Sequence, residues 1–127
     1  MRKHSSWLLI FAGVVLVAVA LAAPASAHHG WGSYQEEQFE ITGTLESPIS
    51  FAGPHATTKL RVNEEVWDVV LAPSLRTARA GLNEDTIPVG TEVTASGHRH
   101  LDAAELEIKT ERLTWNGKVF DVYPDRN

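Results

Sequence analysis

The feature that most constrains this chain is a two-residue alternation of apolar and polar side chains, repeated in short runs from Phe39 onward. Phe39, Ile41, Gly43 and Leu45 alternate with Glu40, Thr42, Thr44 and Glu46. Successive side chains of an extended strand point to opposite faces, so this run predicts a strand with one buried face. Pro48 and Gly53-Pro54 then mark a loop. Ala56 to Val62 alternates again, Asn63-Glu64-Glu65 turns the chain, and Val66 to Leu71 is a third, more apolar strand. The connection between the second and third strands is short enough for a hairpin.

Pro73-Ser74 opens a different texture. Ser74 is expected to cap a helix whose Leu75, Ala78 and Leu82 share one face, with Gly81 as its stop. A fourth strand is expected over Thr91 to His100 and a fifth from about Glu105 to Trp115. Asn116-Gly117 is a strong signal for a primed hairpin turn, leading into a last strand over Lys118 to Tyr123. The predicted fold class is therefore all-β with one short helix, the element order of a small OB-like barrel (oligonucleotide/oligosaccharide-binding) of five or six strands. An open sandwich or meander is the competing arrangement. The expected core is Phe39, Ile41, Leu45, Leu60, Val62, Trp67, Val69, Leu71, Leu75, Leu82, Val93, Leu106, Ile108 and Val119.

The first 27 residues read as a signal peptide. Arg2 and Lys3 give a basic start, Trp7 to Ala23 carries no charge, and Ala25-Ser26-Ala27 follows Pro24. Cleavage after Ala27 predicts an exported protein, periplasmic or secreted, with no membrane association afterwards. No cysteine follows the apolar run, which excludes a lipoprotein. The mature chain divides into an extended arm over residues 28–38 and a single small barrel domain over residues 39–127. With no cysteine, no disulfide can assist that domain. Loss of Arg2 and Lys3 leaves 9 Lys and Arg against 16 Asp and Glu, a net charge of −7. Affinity for nucleic acid comes largely from neutralising phosphates, so nucleic-acid binding is not expected.

The histidines are the candidate chemistry. After cleavage His28 becomes the amino terminus, and its amine and ring nitrogen can chelate one metal ion together. A second imidazole completes the three-nitrogen T-shape called a histidine brace, a donor set that suits Cu(II). His29 offers a further route through a terminal His-His pair. His55 at the end of the first long loop, and His98 and His100 at the end of strand four, supply the remaining candidates. Those two loops share a rim in the expected barrel, and residues two apart on a strand project to one face. No nucleophile motif and no glycine-rich phosphate loop is present.

His28-His29-Gly30-Trp31, the Pro54-His55-Ala56 step, the helix from Pro73-Ser74 to Ala80-Gly81-Leu82 and the strand end Gly97-His98-Arg99-His100 together resemble a family of small exported proteobacterial proteins of unknown function. The resemblance spans nearly the whole mature chain and implies export and extent, with no activity to carry over.

The expected function is a non-enzymatic periplasmic metal-binding protein. It would carry or buffer copper through His28 with His55 and one of His98 or His100, with His29 beside them. The alternative is a metal-free OB-like module for a small ligand or an envelope partner protein. A copper oxidase or oxygenase is a third reading, but a barrel this small offers little substrate cleft.

Overall fold

The structure, a computed structural model, describes residues 30–126. The expected signal peptide, and with it His28 and His29, lies outside the described residues. The elements are β1 (Phe39–Leu45), β2 (His55–Val62), β3 (Glu65–Pro73), α1 (Ser74–Arg79), β4 (Glu92–Arg99), β5 (Glu107–Trp115) and β6 (Lys118–Asp121). They form one sheet in the order β3-β2-β1-β4-β5-β6. A parallel pairing of Asp68 to Val70 with Glu107 to Lys109 joins β3 to β5 and closes five strands into a barrel. β6 pairs only with the second half of β5 and stands outside the ring. The OB-like order holds, with the helix between β3 and β4. Among the described residues no helix is long and apolar enough to cross a membrane.

Closure requires strands to approach closely and to bend. Gly97 on β4 faces the β5 backbone so tightly that an added Cβ would lie 1.9 Å from Lys109 O. Just there the register shifts: Ser96 pairs with Arg112 but Gly97 pairs with Thr110, leaving Glu111 as the extra residue of a bulge. A bulge bends its strand and increases the local twist, which a small barrel needs to close.

The interior is filled by Ile41, Leu45, Leu60, Trp67, Val69, Leu71, Leu82, Val93 and Ile108, as the alternation predicts, together with Ile49, Ile87, Leu113, Phe120 and Val122. Two expected core residues are corrected. Leu75 is 64% exposed and Val119 is 55% exposed. α1 has only six residues, too short to build an apolar stripe, and the residue it buries is Thr77, whose hydroxyl donates to Ala72 O at 2.8 Å. In the final hairpin, Asn116 and Gly117 both take positive φ, as a type I′ turn requires. This two-residue turn sets Phe120 opposite the buried Leu113, so Val119 faces out. Ser74 does not cap the helix either. Pro73 occupies the cap position, and the Ser74 hydroxyl donates to Phe51 O and Gly53 O, tying the helix start to the loop before β2. Gly81, at φ +102°, ends the helix as expected.

The arm, residues 30–38, continues the pairing of β1 with β4 beyond the barrel. Tyr34 bridges His100, Gln35 N–H donates to Arg99 O, and Leu101 N–H donates to Ser33 O. The chain after β6 folds back over the same face, with Val122 N–H donating to Glu111 O.

Candidate functional site

The outer face of β4 and β5 carries charge that the arm and the C-terminal segment bury. His98 stands directly opposite Lys109 in the β4–β5 register. Glu107 and Glu111 lie two residues to either side of Lys109 on β5. His98, Lys109 and Glu111 are 6%, 3% and 1% exposed. Buried charges are costly unless partnered, so each must find its partners beneath the arm.

Glu111 and His98 do so in one network. Gln38 Nε2 donates to Glu111 Oε1 at 2.7 Å, and Arg126 Nε donates to Glu111 Oε2 at 3.0 Å. The arm and the C-terminal segment thus meet on one carboxylate. His98 Nδ1 lies 2.9 Å from Gln35 O and 3.1 Å from Glu37 O. Carbonyl oxygens only accept, so Nδ1 carries the proton. The other ring nitrogen, Nε2, lies 3.2 Å from Gln38 Nε2 and 3.3 Å from Glu111 Oε1. Both nitrogens of His98 are occupied in holding the arm.

Lys109 has a different shell. Its Nζ lies 3.2 Å from His55 Nε2, at the start of β2. The Trp31 and Tyr123 ring centroids stand 5.3 Å and 6.0 Å from the same nitrogen. Among the described residues no carboxylate lies within ion-pair distance of Nζ. Burial pushes the Lys109 ammonium below its ordinary range, with Glu107 pulling weakly the other way. Burial and the neighbouring Lys109 charge likewise lower His55. The first described residue, Gly30, sits against Lys109: a Cβ there would be 3.4 Å from its Nζ.

The aromatic rings organise the cover. Trp31 packs edge-on against His98 and Tyr123, with centroids 5.6 Å and 5.1 Å away, and carries the Arg126 guanidinium 3.8 Å from its own centroid. Tyr34 donates to Glu107 Oε2 at 2.7 Å, and burial together with that carboxylate drives the phenol upward. An open pocket of about 690 Å³ remains beside the arm, lined by Trp31, Tyr34, Gln35, His98, Leu101 and Arg126 among others.

The three candidate histidines among the described residues, His55, His98 and His100, therefore separate by role. His98 and His100 share the outer face, as their spacing predicts. His100 is half-buried, stacks edge-on with Tyr34 at 5.4 Å, and accepts from Asp102 N–H through Nδ1 at 3.0 Å. His55 reaches Lys109 instead. Among the described residues no three His, Cys, Asp or Glu side chains form a group able to hold a metal ion. His28 and His29 precede Gly30, outside the described residues.

Sequence reasoning missed Lys109, Glu111, Gln38 and Arg126. The signal available was the alternation of Glu107, Lys109 and Glu111 with Ile108 and Thr110 on β5. That pattern reads as an ordinary solvated face, because nothing in it announces that a separate segment will cover it.

A family model described as a family of unknown function, DUF6152, matches residues 15–108, a span that takes in all five candidate histidines. No curated protein matches the chain.

Proposed function

The chain belongs to the DUF6152 family, and we propose that it is an exported, non-enzymatic metal-binding protein that carries or buffers copper in the periplasm. Processing after Ala27 frees the amine of His28, which with its own ring and His55 supplies three nitrogens. One observation supports this reading above the others: Gly30 lies against Lys109, whose Nζ is 3.2 Å from His55 Nε2. Two Cα steps separate Gly30 from His28, a reach of roughly 7.6 Å across trans peptides. The anchoring of the arm by His98 and Tyr34 thus serves to deliver the first residue of the mature chain to His55. His98 contributes by position and His55 by ligation. His100, on the same outer face as His98, is a further imidazole among the described residues.

The test uses the mature chain with His28 as its native first residue. Cu(II) titration raises its thermal midpoint, because a ligand that binds only the folded form stabilises it. One extra residue ahead of His28 removes most of that rise, and His55→Gln reduces it. An unchanged midpoint in the native form, or an equal rise with the extended form, overturns the reading. Mass spectrometry of the exported chain checks the start at residue 28.

A second reading, a metal-free module for a small ligand or an envelope partner, draws on the open pocket beside Trp31 and Leu101. Leu101 is 58% exposed there. On this reading the extra residue ahead of His28 changes nothing, and Leu101→Asp abolishes capture of the ligand.

A further inference from the structure

We infer that the open pocket beside the arm receives a small zwitterion with an apolar body, an α-amino acid or a short peptide, whose carboxylate seats on Arg126. The inference rests on the second reading above and names its ligand; it does not depend on copper. Arg126 is held on two sides. Its Nε donates to Glu111 Oε2 at 3.0 Å, and its guanidinium carbon lies 3.8 Å from the Trp31 centroid. Both supports are themselves fixed. Glu111 is buried and its other oxygen takes the Gln38 amide at 2.7 Å, while Trp31 packs edge-on against His98 and Tyr123. The bond to Glu111 runs through Nε, so among the described residues both Nη groups have no acceptor. The side chain is 41% exposed and lines the pocket. A planar guanidinium fixed along one edge presents the other as a fork matched to a carboxylate, with little left to order on binding.

The rest of the lining sets the other features of the ligand. Trp31, Tyr34 and Leu101 supply an apolar wall, and the Tyr34 ring is fixed by its hydroxyl bond to Glu107. Glu36 and Glu37 line the same pocket. Both are exposed, and among the described residues neither has a cation within ion-pair distance. A simple anion approaching Arg126 is repelled by these two carboxylates. A simple cation is repelled by Arg126 and by Lys109, whose Nζ stands 5.3 Å from the Trp31 centroid. A molecule carrying one ammonium and one carboxylate meets attraction at both ends. The volume of about 690 Å³ lies within the range of small-molecule sites, about 300–1,000 Å³.

The experiment titrates the mature chain by calorimetry with phenylalanine, the dipeptide leucyl-phenylalanine, N-acetylphenylalanine and phenylalaninamide. The first two carry both charges, the third lacks the ammonium and the fourth lacks the carboxylate. The tighter of the first two tells peptide from amino acid. Each capped form binds about tenfold more weakly than phenylalanine, because it leaves a charged group of the pocket unmatched. Arg126→Lys keeps the charge and loses the fork, so it weakens phenylalanine about tenfold and leaves phenylalaninamide unchanged. The double variant Glu36→Gln, Glu37→Gln weakens phenylalanine and leaves N-acetylphenylalanine as tight or tighter. Both glutamates are exposed, so this variant carries the test where Arg126→Lys loosens the arm. Equal affinity for free and capped forms, lost in Leu101→Asp, overturns the inference while keeping the pocket reading. Binding of none of the four overturns the inference and the small-ligand form of the second reading with it.

Discussion

The molecule buries two surfaces of opposite character. Inside the barrel, Leu45, Leu60, Val69, Leu71 and Ile108 bury purely apolar side chains. On the outer face of β4–β5, the arm and the C-terminal segment bury a histidine, a lysine and a glutamate. The first burial is non-directional and gains free energy roughly in proportion to the apolar area removed from water. The second gains little net free energy, because each buried charge must be stripped of water before it is paired. What the second surface supplies is position. Gln35, Glu37 and Gln38 are pinned to His98 and Glu111 at named atoms, so the arm has one register on the barrel rather than many.

The two surfaces share a backbone at the β5 bulge, and that is where the largest effect is expected. Gly97→Val places a branched side chain where even a Cβ meets Lys109 O at 1.9 Å. β4 and β5 must then separate, and the closed sheet and the polar floor are lost together. A destabilisation beyond about 4 kcal/mol is expected, enough to leave little folded protein by thermal melting. If Gly97→Val melts near the wild-type temperature, the two burials are not joined at this point.

Smaller changes pull the surfaces apart. Leu60→Ala opens a cavity in the interior and costs about 3 kcal/mol. It lowers the global melting temperature and leaves the pairing of the arm untouched in the folded state. Glu111→Ala costs about 2 kcal/mol, since it takes the acceptor from the amide of Gln38 and the guanidinium of Arg126. Its signature differs. Amide exchange at Gln35 and Leu101, which the arm's ladder protects, accelerates more than exchange at Leu113 or Val93. Equal acceleration everywhere would show that the arm is an integral part of the barrel rather than a separately anchored strap.

This contrast also explains what could be read from the sequence. The interior was legible because it follows a periodic rule: Ile41 and Leu45 sit at even spacing on β1, and Val69 and Leu71 on β3. The helix between β3 and β4 and the Asn116-Gly117 turn were legible for the same local reasons. The rule fails where geometry depends on two strands at once. The bulge at Glu111 is a one-residue difference between β4 and β5, invisible in either strand alone. Leu75 was misplaced because helical spacing cannot announce that a helix will be six residues long. Of the candidate site, the histidines were legible as types. Their division into an anchor, His98, and a candidate ligand, His55, was not, because it depends on which carbonyls the arm brings to a ring nitrogen.

The smallest expected effect completes the comparison by supplying a charge pair with no cover. Lys59 and Asp68 face each other across β2 and β3 as an ion pair, with both side chains more than half exposed. Water already solvates both groups, and salt screens what attraction remains, so such pairs contribute about 0–1 kcal/mol. Asp68→Asn should therefore shift the melting temperature little, and less still in 1 M salt. Asp68 and Glu111 are both strand carboxylates paired with a cation, so their chemistry is closely matched. Their difference is the arm: Glu111 lies beneath it and Asp68 does not. If the two substitutions cost the same, cover contributes nothing and the polar floor is merely a surface that happens to be shaded. If Glu111 costs several times more, the arm converts ordinary strand charges into fixed ones, and the cover itself is what sets the cost.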